Sequence, residues 1–177
     1  SAKTIKTATD RAAKVVFALK TYARYDHLGN PIEANIIEGI ETVLTLYQNY
    51  IKQGIDVIRD YPDSLPAILC YPDELNQVWT NLIHNALQAM NYQGTLTINV
   101  MNQSDRLLIQ ITDNGGGISP EIQSKIFEPF FTTKPAGQGS GLGLDIVKKI
   151  IEKHKGTIEV KSVPRETTFT VCLPITS

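Results

Sequence analysis

The sequence predicts an α+β domain, with helices on one face of a mostly antiparallel sheet, preceded by a helical arm. Two patterns indicate this class. Several short stretches alternate apolar and polar residues, as strands do, and longer segments between them repeat apolar residues at spacings of three and four, as helices do. With 177 residues, 42% of them hydrophobic, the chain is long enough for one domain with a complete core.

The first segment is predicted to be a helix that packs lengthwise against another helix. From Ile5 to Tyr22, apolar residues recur at alternating spacings of three and four, and the charged residues lie off that seam. A surface helix lying on its own domain would give the same pattern, so both interpretations stay open. The turn residues from His27 to Pro31 form the expected boundary, which separates residues 1–26 from a domain over residues 31–177.

The elements of that domain follow from periodicity and from start and stop signals. Gly54 is expected to close the first helix, and Pro72 to open the second, with acidic residues in its first turn. In chain order, the predicted elements are a helix over 36–51, strands near 55–59 and 67–70, a helix over 72–91, a hairpin of strands at 95–100 and 107–112, a short helical signal at 121–127, a helix over 142–154 and closing strands around 158–160 and 169–173.

Composition excludes several classes of function. The 17 Lys and Arg residues nearly balance the 18 Asp and Glu residues, so no overall charge favours binding to nucleic acid. Two cysteines without clustered Cys/His spacing argue against a disulfide scaffold or a zinc site, and a reducing compartment is the default. The sequence has no apolar run of about 18 residues and no leader-like start. We therefore expect a cytoplasmic segment without membrane contact.

The predicted helix over 72–91 carries an unusual row of neutral polar residues opposite its apolar face. A solvated helix face ordinarily uses Glu and Lys, which favour the helix more than Asn does. Asn81 and Asn85 lie one turn apart, and their carbonyl oxygens would suit Mg²⁺ or a phosphate-bound water. Chance on a surface face would explain the row equally well. Its members are Gln77, Asn81, His84, Asn85 and Gln88.

A first glycine motif, Asp113-Asn114-Gly115-Gly116-Gly117-Ile118, comes directly after an apolar strand. It puts one carboxylate at the edge of the core, beside backbone that a flat ligand can approach closely. A simple glycine turn leaving a strand is the alternative, and the motif alone does not decide between them.

A second glycine motif, Gly139-Ser140-Gly141-Leu142-Gly143-Leu144, runs into the helix over 142–154. Free backbone amides at a helix N-terminus can hold phosphate groups. The residues before the motif form a loop rather than a strand, which argues against a dinucleotide-binding βαβ unit. No Lys-Ser/Thr follows the glycines, which argues against a Walker motif.

The order of these segments resembles the ATP-binding catalytic domain of sensor histidine kinases. An amide-bearing helix precedes Asp113-x-Gly-x-Gly, then Phe127-Glu128-Pro129-Phe130-Phe131-Thr132-Thr133-Lys134, then Gly-Ser-Gly-Leu-Gly-Leu. The resemblance covers roughly Ile32 to Pro174. It implies the Bergerat fold shared with gyrase, Hsp90 and MutL, a two-layer α/β sandwich with a mixed, mostly antiparallel sheet. That fold holds ATP and Mg²⁺ under a mobile lid, here about residues 119–138.

The resemblance also implies roles for individual residues. Asn85 would bind Mg²⁺, Asp113 would accept from the adenine amino group, and Gly117 would let the base lie flat. Asn81, Asn85 and Lys134 would take part in catalysis. The implied nucleotide contacts are Asn81, Asn85, Gln88, Asp113, Gly115, Gly117, Ile118, Lys134, Gly139, Ser140, Gly141, Leu142, Gly143, Leu144 and Thr167. The family has glycines before the threonine that matches Thr167, whereas this chain has Arg165-Glu166.

The same resemblance implies transfer of the γ-phosphoryl group of ATP to a histidine outside this chain. The family's acceptor histidine is followed by Glu or Asp, but His27, His84 and His154 are followed by Leu, Asn and Lys. Residues 1–26 resemble the second helix of a dimerisation hairpin whose first helix carries the acceptor. Implied partners are those helices of a homodimeric parent kinase and a response regulator receiver domain. The alternative is a nucleotide-binding or regulator-docking module without phosphotransfer.

Two histidines receive structural interpretations. His84 is expected at a variable surface position. His154 is expected at a helix C-terminus, where the helix dipole favours its charged form.

Overall fold

The computed structural model describes residues 29–129, 131 and 143–175. The predicted helical arm, Phe130, Lys134 and the motif residues Gly139, Ser140, Gly141 and Leu142 lie outside the described residues. The described elements are, in chain order, β1 (Ile32–Ala34), α1 (Ile36–Leu46), α2 (Gln48–Ile51), β2 (Ile55–Asp60), β3 (Ile68–Cys70), α3 (Pro72–Ala89), β4 (Gly94–Gln103), β5 (Arg106–Asp113), α4 (Pro120–Gln123), α5 (Gly143–Lys153), β6 (Thr157–Val163) and β7 (Glu166–Pro174).

Five strands form a sheet in the order β2-β4-β5-β7-β6. Only the β2–β4 pair is parallel, and the other three pairs are antiparallel. Along β4, β5 and β7, buried apolar residues alternate with half-exposed ones, so one face of these strands joins the buried side chains of the helices in a single core. The predicted fold class, helices packed on a mixed and mostly antiparallel sheet, is confirmed.

Helix α3 lies at the centre of the helical layer, because it packs against both α1 and α5. Pro72 opens it at a position where a missing backbone N–H costs nothing, and acidic residues in the first turn favour the helix dipole. It ends at Met90, after which Asn91 and Tyr92 adopt left-handed conformations that a helix cannot continue. Trp79 on its apolar side is fully buried. Because α3 is covered on two sides, its polar residues cannot all face water.

The structure corrects the sequence predictions at three points. The predicted helix over 36–51 breaks at Tyr47, whose ψ of 10° leaves the helical range and separates α1 from α2. The helical signal at 121–127 becomes a helix of four residues, Pro120–Gln123, followed by turns. Strand β1 was not predicted, because it has three residues and depends on antiparallel pairing with β3. Periodicity detects none of these features, since each depends on a single residue or on a distant partner.

Candidate nucleotide-binding site

Asp113, the last residue of β5, is a carboxylate buried in the core layer. It is 4% exposed, and its Oδ1 accepts a hydrogen bond of 2.9 Å from the backbone N–H of Gly115. Burial raises the pKa of Asp113, and the Gly115 N–H partly opposes that shift by favouring the charged form. Within the described residues no group donates to Oδ2. The site therefore has a buried acceptor whose second oxygen is available for a ligand.

The three glycines after Asp113 serve different purposes. A Cβ on Gly115 would collide with the backbone carbonyl of Ala89 at the end of α3, whereas a Cβ on Gly116 would meet nothing within 4 Å. Gly117 has a φ of +85°, in the left-handed region, and a Cβ there would lie 3.0 Å from the carbonyl oxygen of Val163. Gly115 thus packs the loop onto α3, and Gly117 turns it beside β6.

Thr167 lies directly opposite Asp113 on the neighbouring strand β7. It is 3% exposed, and its Oγ1 is 2.7 Å from the hydroxyl oxygen of Ser162 on β6. That hydroxyl in turn accepts from the backbone N–H of Ile118 at 2.7 Å. Hydrogen bonds therefore connect Thr167 with the end of the glycine loop, and strand register brings both to the buried carboxylate.

The departure from the family pattern before Thr167 has a structural explanation. Arg165, in the turn between β6 and β7, has a φ of 69°, a left-handed conformation that glycine adopts most easily. Its backbone N–H donates to the carbonyl oxygen of Gly115 at 3.1 Å. The turn therefore keeps a glycine-like shape although it contains arginine, and it is hydrogen-bonded to the glycine loop.

The polar row on α3 is buried in part rather than solvated. Gln77 and Asn81 are fully buried, while Asn85 and Gln88 are half-buried. The Nε2 of Gln77 donates to Oδ1 of Asn81 at 3.0 Å, and Nδ2 of Asn81 donates to the backbone oxygen of Gly143 at 3.1 Å. Since Gly143 is the first residue of α5, Asn81 joins the middle of α3 to the start of the helix that follows the second glycine motif.

The prediction that His84 lies on the surface is wrong. This residue is 5% exposed, and its ring centroid lies 5.5 Å from that of Tyr47. The break between α1 and α2 at Tyr47 brings that aromatic ring onto α3. A helical wheel cannot predict this contact, because the covering residue lies 37 positions earlier in the chain.

His154 follows the last residue of α5, as predicted, but the charged form expected there is not favoured. Its Nδ1 donates to the carbonyl oxygen of Ile150 at 2.8 Å, and its Nε2 accepts from the backbone N–H of Tyr71 at 3.1 Å. Only a neutral ring can do both. Burial lowers the pKa of His154, with the Lys153 charge acting in the same direction. The dipole effect is therefore outweighed.

An ion pair that the sequence did not predict joins the start of α3 to the end of α5. Nζ of Lys153 lies 2.8 Å from Oε2 of Glu74, a carboxylate with no exposed side-chain surface. The same ammonium group lies 4.0 Å above the ring of Tyr71. Burial raises the pKa of Glu74, and Lys153 opposes that shift. The partners are 79 residues apart, so spacing gives no signal of the pair.

The predicted site residues that the structure describes fall into two groups. One group surrounds Asp113 at the sheet edge, and the other lies where α3 meets α5. The members of the first group are Asp113, Gly115, Gly117, Ile118 and Thr167, and those of the second are Asn81, Asn85, Gln88, Gly143 and Leu144. Contact between Gly115 and Ala89 brings the first group against the C-terminal end of α3.

Two general features of the described residues bear on cofactors and location. Over 29–129, 131 and 143–175, no group of three or more His, Cys, Asp or Glu side chains could hold a metal ion. In the same part of the chain, no helix combines the length and apolar content that a membrane span requires.

Comparison with known proteins identifies relatives of the whole domain. The family model of histidine kinase-, DNA gyrase B- and HSP90-like ATPases matches residues 70–177. The sensory histidine kinase/phosphatase NtrB of Vibrio alginolyticus is 36% identical over 159 residues, which cover 83% of this chain and 45% of NtrB. The sensor histidine kinase ZraS of Salmonella typhi is 44% identical over 115 residues, 64% of this chain and 24% of ZraS. The chain thus spans less than half the length of these relatives.

Solved structures give the same family. The catalytic domain of histidine kinase ThkA superposes with a TM-score of 0.77 at 31% identity, covering 84% of this chain and 97% of that domain. A structure of ThkA in complex with the response regulator protein TrrA has a TM-score of 0.76 at 26% identity, covering 94% of this chain and 49% of that one. The chain belongs to the histidine kinase-, DNA gyrase B- and HSP90-like ATPase family, and within it to the catalytic domains of sensor histidine kinases.

Proposed function

We propose that this chain binds Mg·ATP and transfers its γ-phosphoryl group to a histidine outside the chain. The observation that carries the proposal is the buried carboxylate of Asp113. One oxygen is fixed by the Gly115 N–H, and the other has no donor among the described residues. Burial disfavours the charged form of this carboxylate, and an exocyclic amino group of a base would offset that cost by donating a hydrogen bond to the second oxygen.

The neighbours of Asp113 suit a flat base. Gly117, with its left-handed φ of +85°, has no side chain to cover the approach between the loop and Asp113. Thr167 lies opposite Asp113 in register, and its hydroxyl can bind a water that also reaches the base. These contacts support adenine at the sheet edge.

The second group of residues suits the phosphates and a hard cation. Backbone amides at the start of α5, next to the second glycine motif, can bind phosphate oxygens. Asn81 and Asn85 lie one turn apart on α3, and an amide oxygen is an acceptable ligand for Mg²⁺, which retains most of its water ligands. When bound, Mg²⁺ would neutralise phosphate charge. Asn85 would bind the cation, Asn81 would lie beside the phosphates, and Lys134 would be a further cation there.

Phosphoryl transfer needs positioning and charge neutralisation more than covalent chemistry from the protein. An acceptor within the described part of the chain is disfavoured. Both ring nitrogens of His154 are hydrogen-bonded, and His84 is buried. A water-activating carboxylate is also lacking at Asn81, where the resemblance indicates that hydrolases of the gyrase type have Glu. The bound nucleotide should therefore react only when an external histidine is presented.

The partners follow from the relatives. ThkA was crystallised with the response regulator protein TrrA, and we propose that this domain works with a receiver domain of that kind. We also propose that it presents ATP to the dimerisation and phosphoacceptor helices of a homodimeric, cytoplasmically exposed parent kinase.

The test of the proposal has two parts. Calorimetry should detect binding of a non-hydrolysable ATP analogue in Mg²⁺ by the whole chain. Labelled ATP should then transfer its γ-phosphate to a separately supplied dimerisation hairpin that contains His-Glu or His-Asp. Binding without transfer would favour the nucleotide-binding or regulator-docking module, and absence of binding would refute the proposal.

A further inference from the structure

A row of three polar side chains crosses the sheet at the predicted base site. Asp113 on β5 lies directly opposite Thr167 on β7, and Thr167 lies directly opposite Ser162 on β6. Directly opposed side chains share one face of a sheet, with Cβ atoms about 5 Å apart. Asp113 and Thr167 are buried, whereas Ser162 is half-buried. The row therefore runs from the edge strand β6 to the buried carboxylate.

The loop of the first glycine motif is bonded to the Ser162 end of this row. The backbone N–H of Ile118 donates to Oγ of Ser162 at 2.7 Å, and that Oγ lies 2.7 Å from Oγ1 of Thr167. Gln123 of α4 holds the loop there, because its Nε2 donates to the carbonyl oxygens of Ile118 at 2.8 Å and of Ser162 at 3.1 Å. Ile118 is therefore fixed as the donor at one end of the row.

The charge of Asp113 decides which hydroxyl donates between Ser162 and Thr167. The oxygen positions allow either direction, and Oγ1 of Thr167 has no other partner among the described residues. A backbone N–H can only donate, so Ile118 occupies a lone pair of Ser162 and leaves the Ser162 proton available. The carboxylate across the strand attracts the Thr167 proton and repels the Thr167 lone pairs. Ser162 is therefore the donor and Thr167 the acceptor.

A base bound at Asp113 places the same requirement on Thr167. In adenine, the exocyclic amino group, a donor, lies next to the ring nitrogen N1, an acceptor. With the amino group on Asp113, a water between Asp113, Thr167 and N1 meets two acceptors, the carboxylate and the ring nitrogen. A water has two protons, so it satisfies both only if Thr167 donates to it. Since Thr167 has a single proton, Ser162 must then donate to Thr167.

We propose that Ser162 is a positioning residue for the base: by donating to Thr167, it directs the Thr167 proton toward the bridging water, and so favours a base whose ring nitrogen accepts beside its amino group. This inference rests on the proposed function and adds the residue that orients Thr167. The hydrogen bonds from Ile118 to Ser162, Thr167 and the water all run in one direction, in which each bond strengthens the next.

The test measures the affinity of the whole chain for three ligands by calorimetry in Mg²⁺. They are a non-hydrolysable ATP analogue, its 1-deaza form, in which C–H replaces N1, and its 6-desamino form, which lacks the amino group. The unaltered chain should bind each altered form at least about threefold more weakly, because each lacks one hydrogen bond. These two losses are called the N1 ratio and the amino ratio.

Ser162→Ala should separate the two ratios. The N1 ratio should fall toward one, because the Thr167 hydroxyl loses the donor that orients it, and the amino ratio should stay unchanged, because Asp113 is intact. Ser162→Thr, which keeps a hydroxyl, should restore the N1 ratio. Thr167→Val should abolish the N1 ratio, and adding Ser162→Ala to it should lower affinity no further, because Ser162 acts through Thr167.

A matched control is Thr168→Val, which removes a hydroxyl hydrogen bond of the same kind from the other face of the sheet. Thr168 is next to Thr167 on β7, and its Oγ1 lies 2.8 Å from that of Thr112 on β5. This variant should leave both ratios unchanged. Thermal unfolding checks that every variant is folded. If Ser162→Ala unfolds, Ser162→Cys gives the same comparison, because a thiol is only a weak donor.

A purely structural role of Ser162, holding the loop through Ile118, gives a different result. Ser162→Ala would then weaken all three ligands by the same factor and would weaken Thr167→Val further, and either outcome would overturn the inference. An N1 ratio of one in the unaltered chain would also overturn it, while binding of the ATP analogue itself would leave the proposed function standing. If the unaltered chain binds none of the three ligands, both are refuted.

Discussion

Replacing Asp113 by Asn separates nucleotide binding from folding stability. The structure shows a carboxylate that is 4% exposed, with Oδ1 bound to the Gly115 N–H. An asparagine can keep its own oxygen on that N–H, so the loop should retain its shape. Its NH₂ group would then occupy the position of Oδ2, where the proposed adenine amino group must donate. Two donors would face each other in a buried site.

The expected loss of binding follows from that geometry. A buried donor left without an acceptor costs about 1 to 3 kcal/mol, and the substitution leaves one on the protein and one on the ligand. We therefore expect affinity to fall at least about tenfold to a hundredfold, because each 1.4 kcal/mol is a factor of about ten.

The expected effect on stability has the opposite sign. Burial raises the pKa of Asp113 in the folded state above its unfolded value. A group whose pKa is raised by folding contributes to the free energy of unfolding. That contribution is fully present below the unfolded pKa and is lost as pH rises through the folded pKa. At neutral pH the wild-type fold therefore bears the cost of a buried charge, which asparagine removes. Asp113→Asn should unfold at the same temperature as the parent or higher, and this advantage should shrink as pH falls.

Calorimetric titration with an ATP analogue and thermal unfolding at several pH values measure both effects on the same protein. Nucleotide affinity close to that of the parent would refute the role of Asp113 as the base acceptor. A large drop in unfolding temperature at neutral pH would show that the carboxylate is needed for the fold, and a loss of binding could then not be assigned to the lost acceptor.

Three further predictions concern other parts of the site. Asn85→Ala should lower affinity for the ATP analogue in Mg²⁺ more than in EDTA, since Mg²⁺ would have few protein ligands, and equal losses in both titrations would assign Asn85 a packing role only. Gly115→Ala should destabilise the domain by about 1 to 3 kcal/mol, because its Cβ meets the Ala89 backbone. Gly116→Ala should change the free energy of unfolding by less than about 0.5 kcal/mol, because its Cβ meets nothing. Urea denaturation compares the two variants, and similar values would contradict the packing argument. Amide hydrogen exchange in residues 119–129, the described part of the predicted lid, should slow when Mg·ATP is added, because α4 has only four residues and few contacts of its own; unchanged exchange would argue against a lid.

The sequence predicts best what is encoded locally. Asp113 at a strand end, the glycines that follow it and the amides of α3 are adjacent or one turn apart, so pattern alone indicates them. Strands β4, β5 and β7 are long and alternate apolar with polar residues, and the fold class follows mainly from them.

Features that depend on distant residues are not predictable in this way. Thr167 reaches Asp113 only through the register of β7 on β5, 54 positions along the chain. Asn81 is buried where it meets the start of α5, and His84 is buried where the Tyr47 ring lies against α3. The neutral state of His154 depends on the backbone N–H of Tyr71. In each case a residue distant in the sequence determines the position, burial or protonation state.

The most direct test of the central claim is transfer of labelled γ-phosphate by the whole chain. Alone, in Mg·ATP, the chain should bind nucleotide but gain no acid-labile label and release little phosphate, because His27, His84 and His154 all lack the acidic neighbour and Asn81 cannot activate water. When a dimerisation hairpin with a His-Glu or His-Asp pair is added, the label should appear on that histidine. Acid-labile label on a histidine of the chain itself, or brisk phosphate release without the hairpin, would contradict the account.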